Sequence, residues 1–426
     1  MSFLLKYWFN IENIYQTIGP ICRCMKWFGS LPFSLVQENR KLPSPAADSA
    51  PEVSRCPRLL AMRPLDVLLL LFWQCYILFM LWDDWTQDLH QIPMSKIMIY
   101  FTILTYGTAS LQVVCIQLWI AYCRPKIEDI LRKVQLVDDM LLQKTGKDPN
   151  YRKQHLWLVA IILGSLVITM FVIVAEITAG FLFWDTVDRN YVQMAKLRMA
   201  IFYYAIRLAE FSFLVISIIA LLGFRSRFRM LTDLFRCGTI HTTDKEHEIR
   251  FISSTYDVLV ETLQAYNDVF SYQLAFEMMG YIIFAIFTLF SIGSWVANQI
   301  PVVMLLALFY GISTIHYTMF MVPIFKIGND IQNEGKRMAV LVHRAINQSS
   351  LTTGSIDRLR TFSRQLQHQQ PVVSCGMFSF DWTLCFSVIS SAATYTMIMV
   401  QFELAVPKFF IGGLVEKLRN DTSGLD

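Results

Sequence analysis

Charge is scarce in this chain. Of its 426 residues only 16% are charged, while 54% are hydrophobic; soluble domains carry about 25% charged residues. That shortage excludes an ordinary soluble domain. Dense basic tracts are missing and the net charge is only +4, so nothing points to nucleic acid. There is no H-E-x-x-H, no G-x-S-x-G, no P-loop and no dinucleotide-binding glycine pattern, which leaves no basis for an enzyme or a bound cofactor. The acids and histidines form no spaced ligand set, so no metal is expected. The 9 cysteines (Cys22, Cys24, Cys56, Cys75, Cys115, Cys123, Cys237, Cys375 and Cys385) include none in a predicted outer loop, and no outer disulfide is expected. Cys22-x-Cys24 has no nearby histidine to complete a metal site. No compact apolar core followed by a small-residue cleavage site occurs near Met1, so no signal peptide is expected.

What the chain does have is long apolar runs. Windows of about 19 residues pick out seven spans, at 65–82, 97–122, 155–183, 197–223, 270–296, 302–323 and 382–403. The fold class is therefore an all-α membrane protein of seven transmembrane helices. Basic residues crowd the segment before span 1 (Lys6 to Arg63) and the 2–3, 4–5 and 6–7 loops. The opposite side has only Lys96, Arg189 and Lys196, against Asp83, Asp84, Asp88, Asp185 and Asp188. Lysine and arginine stay on the cytoplasmic side, which puts the N-terminus inside and the C-terminus outside. The tripeptide Asn420-Asp421-Thr422 is a glycosylation acceptor that agrees with an outer tail.

This reading divides the chain into five parts. Residues 1–63 form a cytoplasmic segment with amphipathic anchors such as Ile14, Trp27 and Phe33, and a proline-rich linker at 42–57 that is expected to be disordered. Residues 64–323 hold spans 1–6, a ligand pocket and cytoplasmic helical loops. Residues 324–381 are a cytoplasmic anchor segment, 382–403 the final span, and 404–426 an extracellular tail. Between spans 2 and 3, Ile127, Ile130, Leu131, Val134, Val137 and Leu141 recur at steps of three or four, the helical period. Residues 224–269 and 325–366 are similar. Mixed acids and bases there favour packing into an inner anchor domain over helices lying on the membrane surface.

Ionisable residues inside spans are costly unless paired or wetted. Span 3 holds Glu176, span 4 Arg207 and Glu210, span 5 Glu277, and span 6 His316 beside Tyr317. An outward-facing pocket between spans 3 and 4 can contain Glu176, Arg207 and Glu210, with Tyr203 and Tyr204 one turn above and Trp184, Trp295 and Tyr310 at the sides. Aromatics with a few convergent polar groups suit a small molecule. The plainer alternatives are an Arg207–Glu210 ion pair and Trp184 and Trp295 as interface aromatics. His316 reads as a hydrogen-bonded core residue. In the last span, Thr383, Ser387, Ser390, Ser391, Thr394 and Gln401 fall on one helical face. Such a stripe needs a partner helix or water beside it, so this helix is a candidate pore wall.

The span ends Thr394-Tyr395-Thr396-Met397-Ile398-Met399-Val400-Gln401-Phe402, and its entry reads Cys375-Gly376-Met377-Phe378-Ser379-Phe380-Asp381. Phe28-Gly29-Ser30-Leu31-Pro32-Phe33 stands near the start. These stretches resemble the signature motifs of the insect gustatory receptor family. The resemblance implies a tetrameric, tastant-gated, non-selective cation channel in the plasma membrane of a gustatory neuron dendrite. It would pass Na⁺, K⁺ and Ca²⁺, assemble as a homo- or hetero-tetramer with other gustatory receptors and contact membrane lipid. Thr383, Ser387, Ser391, Thr394, Tyr395, Ile398, Gln401 and Phe402 would form the pore and gate, Tyr395 supporting the helix and Gln401 and Phe402 standing near the outer gate. Thr396 occupies a position where the sugar-receptor branch tends to have Glu, which turns the expectation from sugar to bitter or other small organic tastants. Alternatives are a sugar-responsive channel, an odorant-receptor-like subunit and, less in keeping with the basic residues, a G-protein-coupled receptor. A transporter would show paired halves or broken helices, and these spans are mostly continuous.

Overall fold

A computed structural model describes residues 14–27, 31, 33–37, 58–86, 96–146, 151–183, 189–241, 245–298, 301–347 and 352–401. The linker 42–57 and the tail 404–426 lie outside the described residues. In chain order come α1 (Ile14–Trp27), strands β1 (Ser34–Gln37) and β2 (Arg58–Ala61), α2 (Pro64–Thr86), α3 (Lys96–Tyr122), α4 (Arg124–Thr145), α5 (Tyr151–Phe183), α6 (Arg189–His241), α7 (Lys245–Asn298), α8 (Pro301–Ile346), α9 (Thr353–His368) and α10 (Trp382–Gln401). The strands pair antiparallel, Ser34 opposite Ala61. They and an isolated antiparallel bridge between Ser374 and Ser379 depart from an all-helical expectation.

Six of the expected spans fall inside helices of their own, α2, α3, α5, α6, α7 and α8, and the seventh, 382–403, is covered by α10 as far as Gln401, with 402 and 403 outside the described residues. Their apolar surfaces remain open where lipid would lie. On α2, Leu68, Leu71, Phe72 and Phe79 are exposed, and on α5, Trp157, Leu163, Val167, Met170 and Phe171. Apolar surface of that extent is unstable in water and ordinary in hydrocarbon.

Helices α6 and α7 have 53 and 54 residues. Each is about 80 Å long at 1.5 Å per residue, far more than the ~30 Å a bilayer core requires. With 46 residues, α8 overshoots too. The surplus lengths of α6, α7 and α8 gather α4 and α9 into a second bundle. Its core holds Val137, Leu141, Leu231, Phe235, Leu259, Ile331, Val342, Leu359 and Phe362, all essentially inaccessible to solvent. The stepped apolar residues of α4 therefore face a packed protein interior. Helix α1 packs as well: Met25 is buried, and Leu31 and Phe33 join the same core. Lys26 pairs with Asp66 in the first turn of α2, and His155 Nδ1 lies 3.2 Å from the Thr17 carbonyl oxygen.

The extension bundle contains a buried ion pair that no sequence pattern announces. Arg227 of α6 donates from Nε and Nη2 to the Asp138 carboxylate of α4, at 2.7 and 2.5 Å, and the Tyr151 hydroxyl donates to the same carboxylate. Both charges are almost fully enclosed, with 2% and 6% of their side chains exposed. Removing one partner of such a pair strands the other's charge, at a cost of about 3–5 kcal/mol. An exposed pair such as Arg132–Glu128 contributes under about 1 kcal/mol. Asp138→Ala should therefore lower the thermal midpoint of the purified full-length chain by many degrees and Glu128→Ala by few. Equal shifts would show that the pair is not a stability determinant.

Candidate functional site

Two parts of the molecule are candidates for function. The first is a polar and aromatic cluster among α5, α6, α7 and α8, within the spans. Glu210 of α6 is fully buried and accepts a hydrogen bond of 2.6 Å from the Tyr317 hydroxyl of α8. Rings surround this contact. Phe211 lies 3.8 Å from the His316 ring and 5.3 Å from Tyr317, and Phe284 lies 5.6 Å from Tyr317. Ser165 of α5 approaches His316 Nε2 at 3.4 Å. Tyr310 stands edge-on to Phe287 at 4.1 Å. Thr288 and Thr314 join α7 to α8 through their hydroxyls at 2.7 Å. A buried carboxylate, a phenol and an imidazole thus converge inside an aromatic shell, the arrangement a small-molecule site uses to orient a ligand.

Only part of the expected pocket can be placed. Glu210 and Tyr310 belong to one cluster, linked through Phe284, which contacts both Tyr310 and Tyr317. Trp295 is half-buried on α7, and no ring contact or hydrogen bond ties it to the cluster among the described residues. Glu176 lies on α5, and Tyr203, Tyr204 and Arg207 lie on α6, with side chains outside the described set; Trp184 lies outside it altogether. Tyr317, His316 and Ser165 are the additions. Tyr317 and Glu210 are separated by 107 residues, so no local spacing signals their contact. The expectation of a hydrogen-bonded His316 agrees with its Ser165 contact.

The second part is α10. Only 17% of this span is buried within the chain, against 67% for Ala209–Arg236. Its buried residues are Cys385, Val388 and Ala392, three or four apart and therefore on one side. At about 100° per residue, Thr383, Ser387, Ser390, Thr394 and Gln401 lie on the opposite side, and all five are exposed. Ser387 and Thr394 donate to the carbonyls of Thr383 and Ser390, at 2.9 and 3.0 Å, so these hydroxyls are satisfied within the helix. Ser391 is half-buried beside the stripe, and Tyr395 and Ile398 are exposed. Phe402 lies outside the described residues.

What fixes α10 is the segment before it. Asn267 of α7 donates to the Val372 carbonyl at 2.8 Å and receives the Ser374 N–H at 3.4 Å. The chain then turns through Gly376 at φ 83, and Phe380 N–H returns to the Val373 carbonyl at 2.9 Å. Phe380 is buried against Phe325 of α8. Asp381 caps α10 by accepting from Leu384 N–H at 3.0 Å and from the Ser379 hydroxyl at 2.9 Å. Burial alone would raise the Asp381 carboxyl, but the bonds from Leu384 and Ser379 outweigh it and hold the group below the ordinary carboxylate range. Its stabilisation is present at neutral pH and is lost only as pH falls through that lowered value.

Two glycines of α8 permit this seating. A Cβ on Gly328 would stand 2.2 Å from the Phe380 carbonyl oxygen, and one on Gly335 would stand 2.5 Å from Pro371. The first obstacle is backbone and cannot swing away. Gly328→Ala should cost at least about 1–3 kcal/mol of overpacking and shift the start of α10. Gly164→Ala meets nothing within 4 Å and should gain about 0.5–1 kcal/mol of helix propensity. Thermal midpoints of the two purified variants test the contrast: equal stability would mean the 371–381 segment is not pinned on α8.

The architecture has solved counterparts. The chain is similar to the insect olfactory receptor OR5 from Machilis hrabei in complex with eugenol, with a TM-score of 0.67 and 9% identity over 90% of this chain and 97% of that one. It is also similar to a second structure of the insect olfactory receptor OR5 from Machilis hrabei, with a TM-score of 0.63, 8% identity and the same coverage. No curated protein matches. The model of the 7tm chemosensory receptor family matches residues 18–406, most of the chain. The chain therefore belongs to the 7tm chemosensory receptor family.

Proposed function

We propose that the protein is a gustatory receptor acting as a tastant-gated, non-selective cation channel, with bitter or other non-sugar small molecules as its ligands. The observation that carries this reading is the geometry of α10. A polar stripe on a membrane helix, turned away from its own chain, needs water or another copy to face. Four copies around an axis, stripes inward, give each helix both. Ser387 and Thr394 already bond their own backbone, so the wall presents uncharged dipoles and discriminates little among Na⁺, K⁺ and Ca²⁺. Gln401 and Phe402 stand at the far end as the gate, where an apolar ring blocks ions by excluding water. The extension bundle is the inner anchor, the N-terminus is cytoplasmic and the chain resides in the plasma membrane.

The ligand enters the cluster around Glu210, Tyr317 and Tyr310, with Arg207, Glu176, Tyr203 and Tyr204 as further lining. It acts by favouring the open state over the closed one. Since Tyr317 sits on α8, the helix that carries Phe325 and Gly328, occupancy bears on the seat of α10. A second reading, an olfactory-type channel subunit, is favoured by the solved counterparts, both olfactory receptors. A sugar ligand is disfavoured by Thr396.

Whole-cell recording from cells expressing the chain alone separates these readings. Alkaloids should elicit currents carried by Na⁺, K⁺ and Ca²⁺, whereas sugars should not; responses to volatile odorants alone would favour the olfactory reading. Tyr317→Phe should shift the half-maximal ligand concentration upward roughly ten- to a hundredfold, the loss of one hydrogen bond to a charged group of about 1.5–3 kcal/mol, with ion selectivity unchanged. Gln401→Ala or Phe402→Ala should alter leak or rectification. Unchanged currents in both would remove those residues from the gate.

A further inference from the structure

An apolar cavity of about 110 Å³ lies where the spans meet the extension bundle. It is separate from the cluster above: neither Glu210, Tyr317, His316 nor Tyr310 lines it. Helix α1 covers one side with Ile18 and Cys22, and α4, α6 and α7 close others with Val134, Phe213 and Phe270. The cover is fastened at two points, by the Lys26–Asp66 ion pair and by His155 against the Thr17 carbonyl. Burial pushes the Cys22 thiol up to about 12, so it faces the space as an apolar group. Empty apolar space of this size stays dry and takes up apolar molecules; an engineered cavity of about 150 Å³ binds benzene.

The polar lining residues are Thr17, Gln154, Arg227 and Tyr266, and the last two define what fits. The first is Arg227, the one charged lining residue among those described. Asp138 cancels its charge through Nε and Nη2, while a Cβ on Gly223, also in the wall, would lie 2.8 Å from Nη1. Neither a cation nor an anion would find a net charge to meet, and either would lose its hydration on entering an apolar space. The second is Tyr266, buried on α7. Among the described residues its hydroxyl has no partner at regular hydrogen-bond geometry, and the nearby Ser217 hydroxyl competes for it only weakly; a buried donor in that state gains about 0.5–1.5 kcal/mol from an acceptor placed before it. We propose that this cavity is a second ligand site, for a small neutral apolar molecule carrying one hydrogen-bond acceptor, a carbonyl or ether oxygen, that meets the Tyr266 hydroxyl. A phospholipid fits poorly: the space is too small for two acyl chains, and the guanidinium that would meet a phosphate is already held by a carboxylate. The site stands on the fold alone and is independent of channel activity.

Acetophenone, a neutral aryl ketone that attaches to nearby C–H bonds on irradiation, probes the site directly. The full-length chain in phosphatidylcholine nanodiscs is irradiated with it, and the modified peptides are mapped by mass spectrometry. Labelling is expected in the α1 peptide around Cys22 and the α6 peptide between Phe213 and Phe224. Ala220→Leu, which fills the cavity from α6, should reduce labelling of those peptides at least about tenfold while leaving the lipid-facing Leu71–Phe72 peptide unchanged. Tyr266→Phe keeps the shape and removes the donor; its half-saturating acetophenone concentration should rise about three- to tenfold, the equivalent of one hydrogen bond. Labelling confined to lipid-facing peptides, or cavity labelling indifferent to both variants, would overturn the proposal. So would a phospholipid retained by the purified chain and lost in Ala220→Leu.

Discussion

Three helices are too long for the membrane they cross, and that constraint organises the rest of the molecule. Because α6, α7 and α8 continue unbroken beyond their spans, their surplus lengths need a second apolar interior. They obtain it by enclosing α4 and α9 and by neutralising Arg227 against Asp138. Two further elements are positioned by this continuation. Helix α1 lies over the junction between the two bundles, and the segment before α10 lies on the continued part of α8. Single helices thus belong at once to the region that holds Glu210 and Tyr317 and to the region that holds α10.

The membrane region joins α6 to α8 by a contact of a different kind. A carboxylate at Glu210 is costly in hydrocarbon, and the Tyr317 hydroxyl lowers that cost within a shell of Phe211, Phe284 and His316. The bond is short and enclosed, and it links two helices that extend into the second bundle. A group that competes for either partner changes how α6 and α8 sit against each other. The proposed function relies on this contact to reach α10 without a direct contact between the two.

The seven spans were legible because apolar runs of the required length are a local property of the sequence. The stepped residues of α4, from Ile127 to Leu141, announced a packed helix for the same reason. The stripe from Thr383 to Gln401 was also local, and its exposure follows from periodicity once Cys385, Val388 and Ala392 are known to face the chain. Pairings distant in sequence were not legible. Arg227 appeared only as one basic loop residue, and nothing near it named Asp138. Tyr317 stood beside His316 without a sign that it would reach Glu210. Gly328 and Gly335 gave no hint either, since a helical glycine explains itself only when the backbone that needs its missing Cβ is seen beside it. The strands β1 and β2 are too short, and too far apart in sequence, for alternation to reveal them.

The close approach at Gly328 has a mechanical consequence. Where backbone touches backbone no side chain can change rotamer to absorb a displacement, so the joint between α8 and residues 371–381 has little compliance. A small tilt of α8 is then delivered to the foot of α10 nearly undiminished, and across the length of that helix an angular change at the foot becomes a larger lateral excursion at the Gln401 end. The glycine thereby acts as the fulcrum of a lever.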